Sequence, residues 1–275
     1  MKNFWRCLWG AIGRIWPACV TTAQAVAFNM FLAFFPMLLL LLGLVSQWRW
    51  LQSGVEDMFG SLGPLMPPGM YQVLTDFLEK HAEHPLSWAT VGLVGTLLAG
   101  TQMMRLMIEG FHIAQRIERP GMVEQILRAL ALLCMTFAPT VVAIAIAVFG
   151  KQLRLALTAQ FGSPLFIRLL ISAALTAAAL LLAVLVLAVV YRLGTRDVRS
   201  WKEVMPGAVF ASPLWWLASY LFGVYMRHVP YNLVYGGLAT AIGLMIWMNF
   251  TVVIIFLGSA YNAERTLEMR NGAAA

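Results

Sequence analysis

Side chains able to act on a ligand are few in this chain, and the deepest of them lie within apolar runs. Asn29 and Asn249 must find partners, since an amide left bare in an apolar medium is costly, and Gln102 and Arg105 join them from the end of the second run. Gathered around one hollow, they would offer hydrogen-bond donors and a positive charge to a polar or anionic group. That is the chemistry of binding and passage. Spread singly between helices, the same amides would serve as interhelical glue. Gln24, Thr96, Thr101 and Thr251 are further polar residues of these runs.

Three prolines join this group. Pro36, Pro139 and Pro213 each fall near the middle of an apolar run, and those runs are the first, third and fifth. A mid-helix proline removes one backbone hydrogen bond and leaves a carbonyl that protein or cavity water must meet. Helices one, three and five run the same way, so their kinks are expected at similar depth, lining a central cavity as broken transporter helices do. The alternative is that they are ordinary prolines of membrane helices, where proline is commoner than in soluble ones.

Bond-making chemistry has no comparable footing. No carboxylate lies near the middle of a run, which argues against proton coupling. His81 and His84, with Glu79, Lys80 and Glu83 around them, would share a helical face, but a solvated loop helix explains them better than a metal site. The chain contains no G-x-x-x-x-G-K-[ST] phosphate loop, no H-E-x-x-H and no G-x-S-x-G elbow. Cys7, Cys19 and Cys134 are scattered and read as free thiols. No enzyme activity, cofactor or metal is expected.

The elements that must position these residues follow from composition. Hydrophobic residues make up 61% of the 275 and charged ones 11%, against about 25% charged in an ordinary soluble domain. A water-soluble fold could not hide so much apolar surface. The expected class is all-α: a single polytopic membrane domain over residues 1–275, with six transmembrane helices. The runs at 25–46, 87–104, 126–150, 166–191, 204–225 and 235–261 each approach or exceed the length needed to cross the hydrocarbon. The stripes Gly92, Gly95, Ala99 and Gly236, Ala239, Gly243 read as close-packing faces.

Residues 1–20 read as an amphipathic helix, with Phe4, Leu8, Ile12, Ile15 and Trp16 at helical spacing beside Trp5, Trp9, Arg6 and Arg14. Two readings stay open: a helix lying in the headgroup region, or a cap docked on the bundle. The apolar stretch that follows is too long for a cleaved signal peptide. The net charge of +7 reflects membrane topology rather than nucleic-acid binding, because the basic residues flank apolar runs. Thirteen of the nineteen Lys and Arg fall on the side of the termini, which places both ends in the cytoplasm. The outer connection 47–86 is the longest and holds Glu56, Asp57, Asp76, Glu79 and Glu83. Past Pro67 and Pro68, its Met70, Val73, Leu74, Phe77 and Leu78 share one helical face, as expected of a segment on the outer surface.

Two stretches bracketing the chain resemble a known family. AFNMFLAFFP, from Ala27 to Pro36, is similar to the A-Y-Y-x-L-L-S-L-x-P run of the YihY/BrkB membrane proteins, once called ribonuclease BN. The last run, with Tyr235, Gly236 and Trp247 and then LGSAYNAE containing Gly258, Asn262 and Glu264, resembles that family's Y-G-x-L, L-x-W and L-G-A-x-x-N-A-E ending. Between them, FHIAQRIE from Phe111 to Glu118 is similar to an L-N-x-A-Y-x-V-E turn. Asn29, Ala33 and His112 depart from the commoner pattern. The resemblance implies six spans, a bacterial inner-membrane location and a transport role without a settled biochemical activity. The ribonuclease label conflicts with the absence of the H-x-H-x-D-H cluster of zinc-dependent tRNA nucleases. The expected function is a permease for a small solute or lipid; the alternative is a scaffold that organises the envelope through partners. Membrane lipids are the expected surroundings, nucleic acid is not an expected partner, and a homo-oligomer is allowed.

Overall fold

The computed structural model describes residues 2–45, 85–118, 121–136, 139, 142, 165–195, 200–228 and 237–273. Every regular element among them is an α-helix. In chain order they are α1 (Lys2–Ile15), α2 (Ala18–Val45), α3 (Pro85–Gln115), α4 (122–136), α5 (Leu165–Leu193), α6 (Trp201–His228) and α7 (Gly237–Ala273). Four carry stretches long and apolar enough to cross a membrane: Ala18–Leu40, Leu86–Gln115, Trp201–Met226 and Ala241–Asn271. A shorter apolar stretch, Leu180–Leu193, ends α5. The acidic connection with His81 and His84, most of the expected third span past residue 136, and Tyr235 and Gly236 lie outside the described residues.

Three helix limits differ from the expected spans, each for a local reason. α2 begins at Ala18 rather than residue 25, so residues 18–20 belong to it and not to the surface helix. The Thr21 and Thr22 hydroxyls donate to the Ala18 carbonyl and occupy an acceptor of that first turn. α3 runs on to Gln115, well past residue 104, because Met107, Ile108, Phe111 and Ala114 continue a buried face beyond Arg105. It stops where Arg116 takes a left-handed φ of 54°, with Ile117 N–H donating to His112 O and Arg116 N–H to Ile113 O. These are the paired bonds of a Schellman ending, here built on arginine. α7 extends to Ala273 because its last turns carry the groups that hold α1. The start of α6 carries an S-x-x-E signature, with the Ser200 hydroxyl donating to Glu203 Oε1 at 2.8 Å.

Two antiparallel pairs frame the bundle. In the first, α2 and α3 approach so closely that a methyl on Gly92 would overlap the Leu40 backbone, while Gly95 receives the Pro36 ring and Gly43 faces Ala89. In the second, α6 and α7 are joined along one register from Val204 and Asn262 to Met226 and Gly243. α5 packs beside α6 and sends Tyr191 to α7. The helices converge at the end that holds α1, where Cys19, Val26, Met107, Phe111, Tyr191, Val204, Val252 and Phe256 form a continuous core. Phe111 meets Tyr191 and Phe256 edge-to-face, with ring centroids 5.7 and 5.8 Å away. Leu98, Leu181, Val209 and Phe250 point outward, as they should where lipid replaces water as the solvent.

α1 lies across this end. Cys7, Ala11 and Ile15 are buried in the shared core, whereas Trp5, Trp9, Ile12 and Trp16 are exposed on the opposite face. Its inner edge is fixed to α7 by an ion pair between Arg14 and Glu264, and by Arg6 at 3.9 Å from Glu268.

Candidate functional site

The last turns of α7 gather most of the polar contacts between helices. Gly258 comes first because it has no side chain: a methyl there would overlap the Tyr191 hydroxyl and press on Ala211, and one on Gly207 would overlap the Gly258 carbonyl. The two backbones therefore touch, and the close approach brings Asn262 within reach of α6. Its Oδ1 accepts from Gly207 N–H at 2.6 Å and its Nδ2 donates to Val204 O at 3.0 Å. Pro206 lies between those two positions and lacks the N–H that a helix interior uses, so Asn262 braces a turn that proline weakens. Ser259 Oγ accepts from the buried Gln115 Nε2 at 2.9 Å and ties in α3. Tyr191 donates to Ile255 O at 2.8 Å and ties in α5. Glu264 reaches α1 through Arg14.

Nearer the middle of the pair, Trp247 Nε1 donates to Ser219 Oγ and Trp215 Nε1 to Thr251 Oγ1, both at 3.1 Å. Thr251 in turn donates to Trp247 O at 2.9 Å. These motif residues thus act as helix-to-helix hydrogen-bonding groups. Each such bond in a membrane interior contributes about 0.6 kcal/mol on average, and somewhat more at best.

The Cys7 thiol shows how the α1 junction shapes chemistry. It donates to Glu268 Oε2 at 3.2 Å, and its pKa is pushed up to about 11, first by burial and then by the Glu268 hydrogen bond and charge. In a chain with Cys7 as its sole cysteine, maleimide labelling should be slow near neutrality and rise with pH toward about 11. The denatured chain should already label on approaching the ordinary thiol value of 9.0. Glu268→Gln removes one raising influence, so labelling at pH 8 should speed up several-fold in rate-versus-pH measurements.

A second polar group stands apart on α3. Arg105 lies ten residues before the end of the helix, about 15 Å along its axis, within an apolar span. Its Nη1 donates to Gln102 Oε1 at 3.2 Å, and its backbone carbonyl accepts from Gln125 Nε2 of α4 at 3.1 Å. Its Nε is buried and has no partner among the described residues. Nearer the end of a membrane helix, an arginine costs less than the roughly 3 kcal/mol that insertion scales give at the centre. No carboxylate among the described residues pairs with it. Arg128 bonds Glu124 at 2.7 Å and the Thr195 carbonyl, while the Arg192 guanidinium lies 4.6 Å from the Trp201 ring centre with its Nε likewise buried and without a partner among the described residues.

Of the residues expected to line a pathway, the structure brings only Gln102 and Arg105 together. Asn29 is half-buried and donates to Ala25 O of its own helix at 2.9 Å. Asn249 is half-buried on α7. Pro36 is packed against Gly92 and Gly95, Pro213 is exposed, and Pro139 is helical and half-buried. A crevice lined by Ile15, Cys19, Val20, Val253 and Phe256, with no room for a water molecule, contains none of the three prolines and is apolar throughout. His112, a departure from the family pattern, is buried with Nδ1 2.7 Å from Ile108 O. The partners Arg14, Gln115, Tyr191, Gly207 and Ser219 were missed from sequence, although the S-x-x-E start of α6 and the Pro206-Gly207 pair marked the turn that Asn262 braces.

Residues 17–274 match the model of the family described as Virulence factor BrkB. The chain is 25% identical over 243 residues to the ribonuclease-like protein YfkH of Bacillus subtilis (strain 168), covering 86% of each chain. It is 33% identical over 76 residues to the UPF0761 membrane protein PSHAa0171 of Pseudoalteromonas translucida (strain TAC 125), covering 27% of this chain and 25% of that one. No solved structure matches. With apolar helices of spanning length and a family match that includes the whole of the α7 seam, the chain belongs to the Virulence factor BrkB family of membrane proteins.

Proposed function

We propose that this protein is a six-span transporter of the bacterial inner membrane, with both termini in the cytoplasm, that moves a solute or lipid and catalyses no covalent reaction. The observation that supports transport is the Gln102–Arg105 pair within the apolar span of α3. An ionisable group with an unpartnered donor within an apolar helix marks a functional-site candidate. Topology rests on the Lys and Arg bias toward the side of the termini. The exposed Trp5, Trp9 and Trp16 support α1 lying in the inner headgroup layer while its other face caps the bundle, so the two readings of that helix are compatible.

The name of the Bacillus relative raises nuclease chemistry. Against it, no three His, Cys, Asp or Glu side chains stand grouped for a metal among the described residues. The scaffold reading draws its support from the tight closure of the bundle around Phe111 and Phe256. Proteoliposomes with fluorescent phospholipids in both leaflets separate the two. A transporter of lipid should bring inner-leaflet label out to dithionite at least tenfold faster than protein-free vesicles. Rates no faster than those of protein-free vesicles for phosphatidylglycerol, phosphatidylethanolamine and phosphatidylcholine probes, with no efflux of entrapped small solutes, would favour the scaffold.

A further inference from the structure

We infer that Arg105 and Gln102 form a binding site for the anionic headgroup of a membrane amphiphile that enters sideways from the bilayer, beside α3 and α4. This deepens the transport reading and rests on it for its role, while the geometry concerns binding alone. The guanidinium spends one donor on Gln102 Oε1, and its buried Nε has no partner among the described residues. A planar fork with unspent donors is suited to a phosphate or carboxylate, which can take two of them side by side. Gln125 holds the Arg105 carbonyl from α4 and so fixes where that fork stands.

The approach is lateral because of what surrounds it. Leu98, Gln102 and Arg105 follow one another at helical spacing on one face of α3. Leu98 is 71% exposed and Gln102 is exposed as well. On α4, Ile126 and Leu127, next to Gln125, are also exposed. A water-soluble anion would have to cross this apolar rim, whereas an amphiphile could lay its chain along it and present its headgroup to Arg105. Inside the bundle, the crevice beside Cys19 and Phe256 is apolar and too narrow for water.

The test is native mass spectrometry of the full chain in neutral detergent micelles doped with phosphatidylglycerol, oleate or phosphatidylcholine. Wild type should retain at least one anionic amphiphile at least fivefold more than phosphatidylcholine, and Arg105→Gln should abolish that preference. Arg105→Lys, which keeps the charge without the fork, should retain an intermediate amount, and Gln102→Leu should weaken retention two- to threefold. Loss confined to phosphatidylglycerol assigns a phosphodiester ligand, and loss confined to oleate assigns a carboxylate. Equal retention by wild type, Arg105→Gln and Arg105→Lys overturns the site. The melting temperature in undoped detergent should not fall for any of the three variants, which a merely structural arginine would not allow. Arg105-dependent retention without lipid movement in proteoliposomes leaves the site standing and removes the transport reading. Lipid movement with retention indifferent to Arg105 does the reverse.

Discussion

Gly207→Val is expected to prevent the α6–α7 pair from closing. A branched side chain at that position has no room, because even a single methyl would overlap the Gly258 carbonyl and crowd the Asn262 carboxamide. Overfilling a packed interior ordinarily costs about 1–3 kcal/mol. Here the obstructing atom is backbone, so side-chain rotation gives no relief and the cost should reach at least about 3 kcal/mol. Fluorescence-detected size-exclusion chromatography should show loss of the monodisperse peak. The same substitution at Gly223, where a new methyl meets nothing within 4 Å, should leave the peak intact. Equal behaviour of the two variants would mean that the helices do not touch where described.

Asn262→Ala should be the next most damaging change. It strips a partner from Gly207 N–H and from Val204 C=O at the turn interrupted by Pro206. Leaving buried polar groups short of partners costs about 1–3 kcal/mol for each. A total of about 2–4 kcal/mol should appear as a large drop in melting temperature in detergent. Pairing Asn262→Ala with Pro206→Ala gives a direct check. Pro206→Ala restores an N–H aimed at the Lys202 carbonyl one turn back, so if the carboxamide supports a turn weakened there, the double variant should recover part of the loss. Simple additivity of the two substitutions would refute the bracing role.

What could be read from sequence follows from which properties are local. Unbroken apolar runs located α2, α3, α6 and α7, because chain length against bilayer thickness is a one-dimensional test. The stripe Gly92 and Gly95 was recognised as a packing face, and it is where α2 approaches. The motif residues Trp247, Gly258, Asn262 and Glu264 were marked by resemblance, yet their contacts were not. Arg14 stands 250 positions from Glu264 and Gly207 stands 55 from Asn262, so no spacing rule joins them. The prolines show the limit most plainly. Sequence gives depth along a helix but not the direction a kink faces, and Pro36 turns to the glycines of α3 while Pro213 is exposed. Arg105 is a different case: a charge at the edge of an apolar run suggests its end, although the buried face formed by Met107, Ile108 and Phe111 carries the helix onward.

The distribution of contacts along α7 bears on how such a chain is made. Single residues of this helix bond to α1, α3, α5 and α6, and Phe256 fills the space over Gly110. All of the earlier helices leave the ribosome before these groups exist. The nascent protein must therefore wait in the translocon or the lipid with Tyr191, Gln115 and Arg14 unmatched, and it locks only when the Leu257–Glu264 stretch is threaded in. A chain arrested short of that stretch would be an open assembly of helices, and so a natural substrate for membrane proteases.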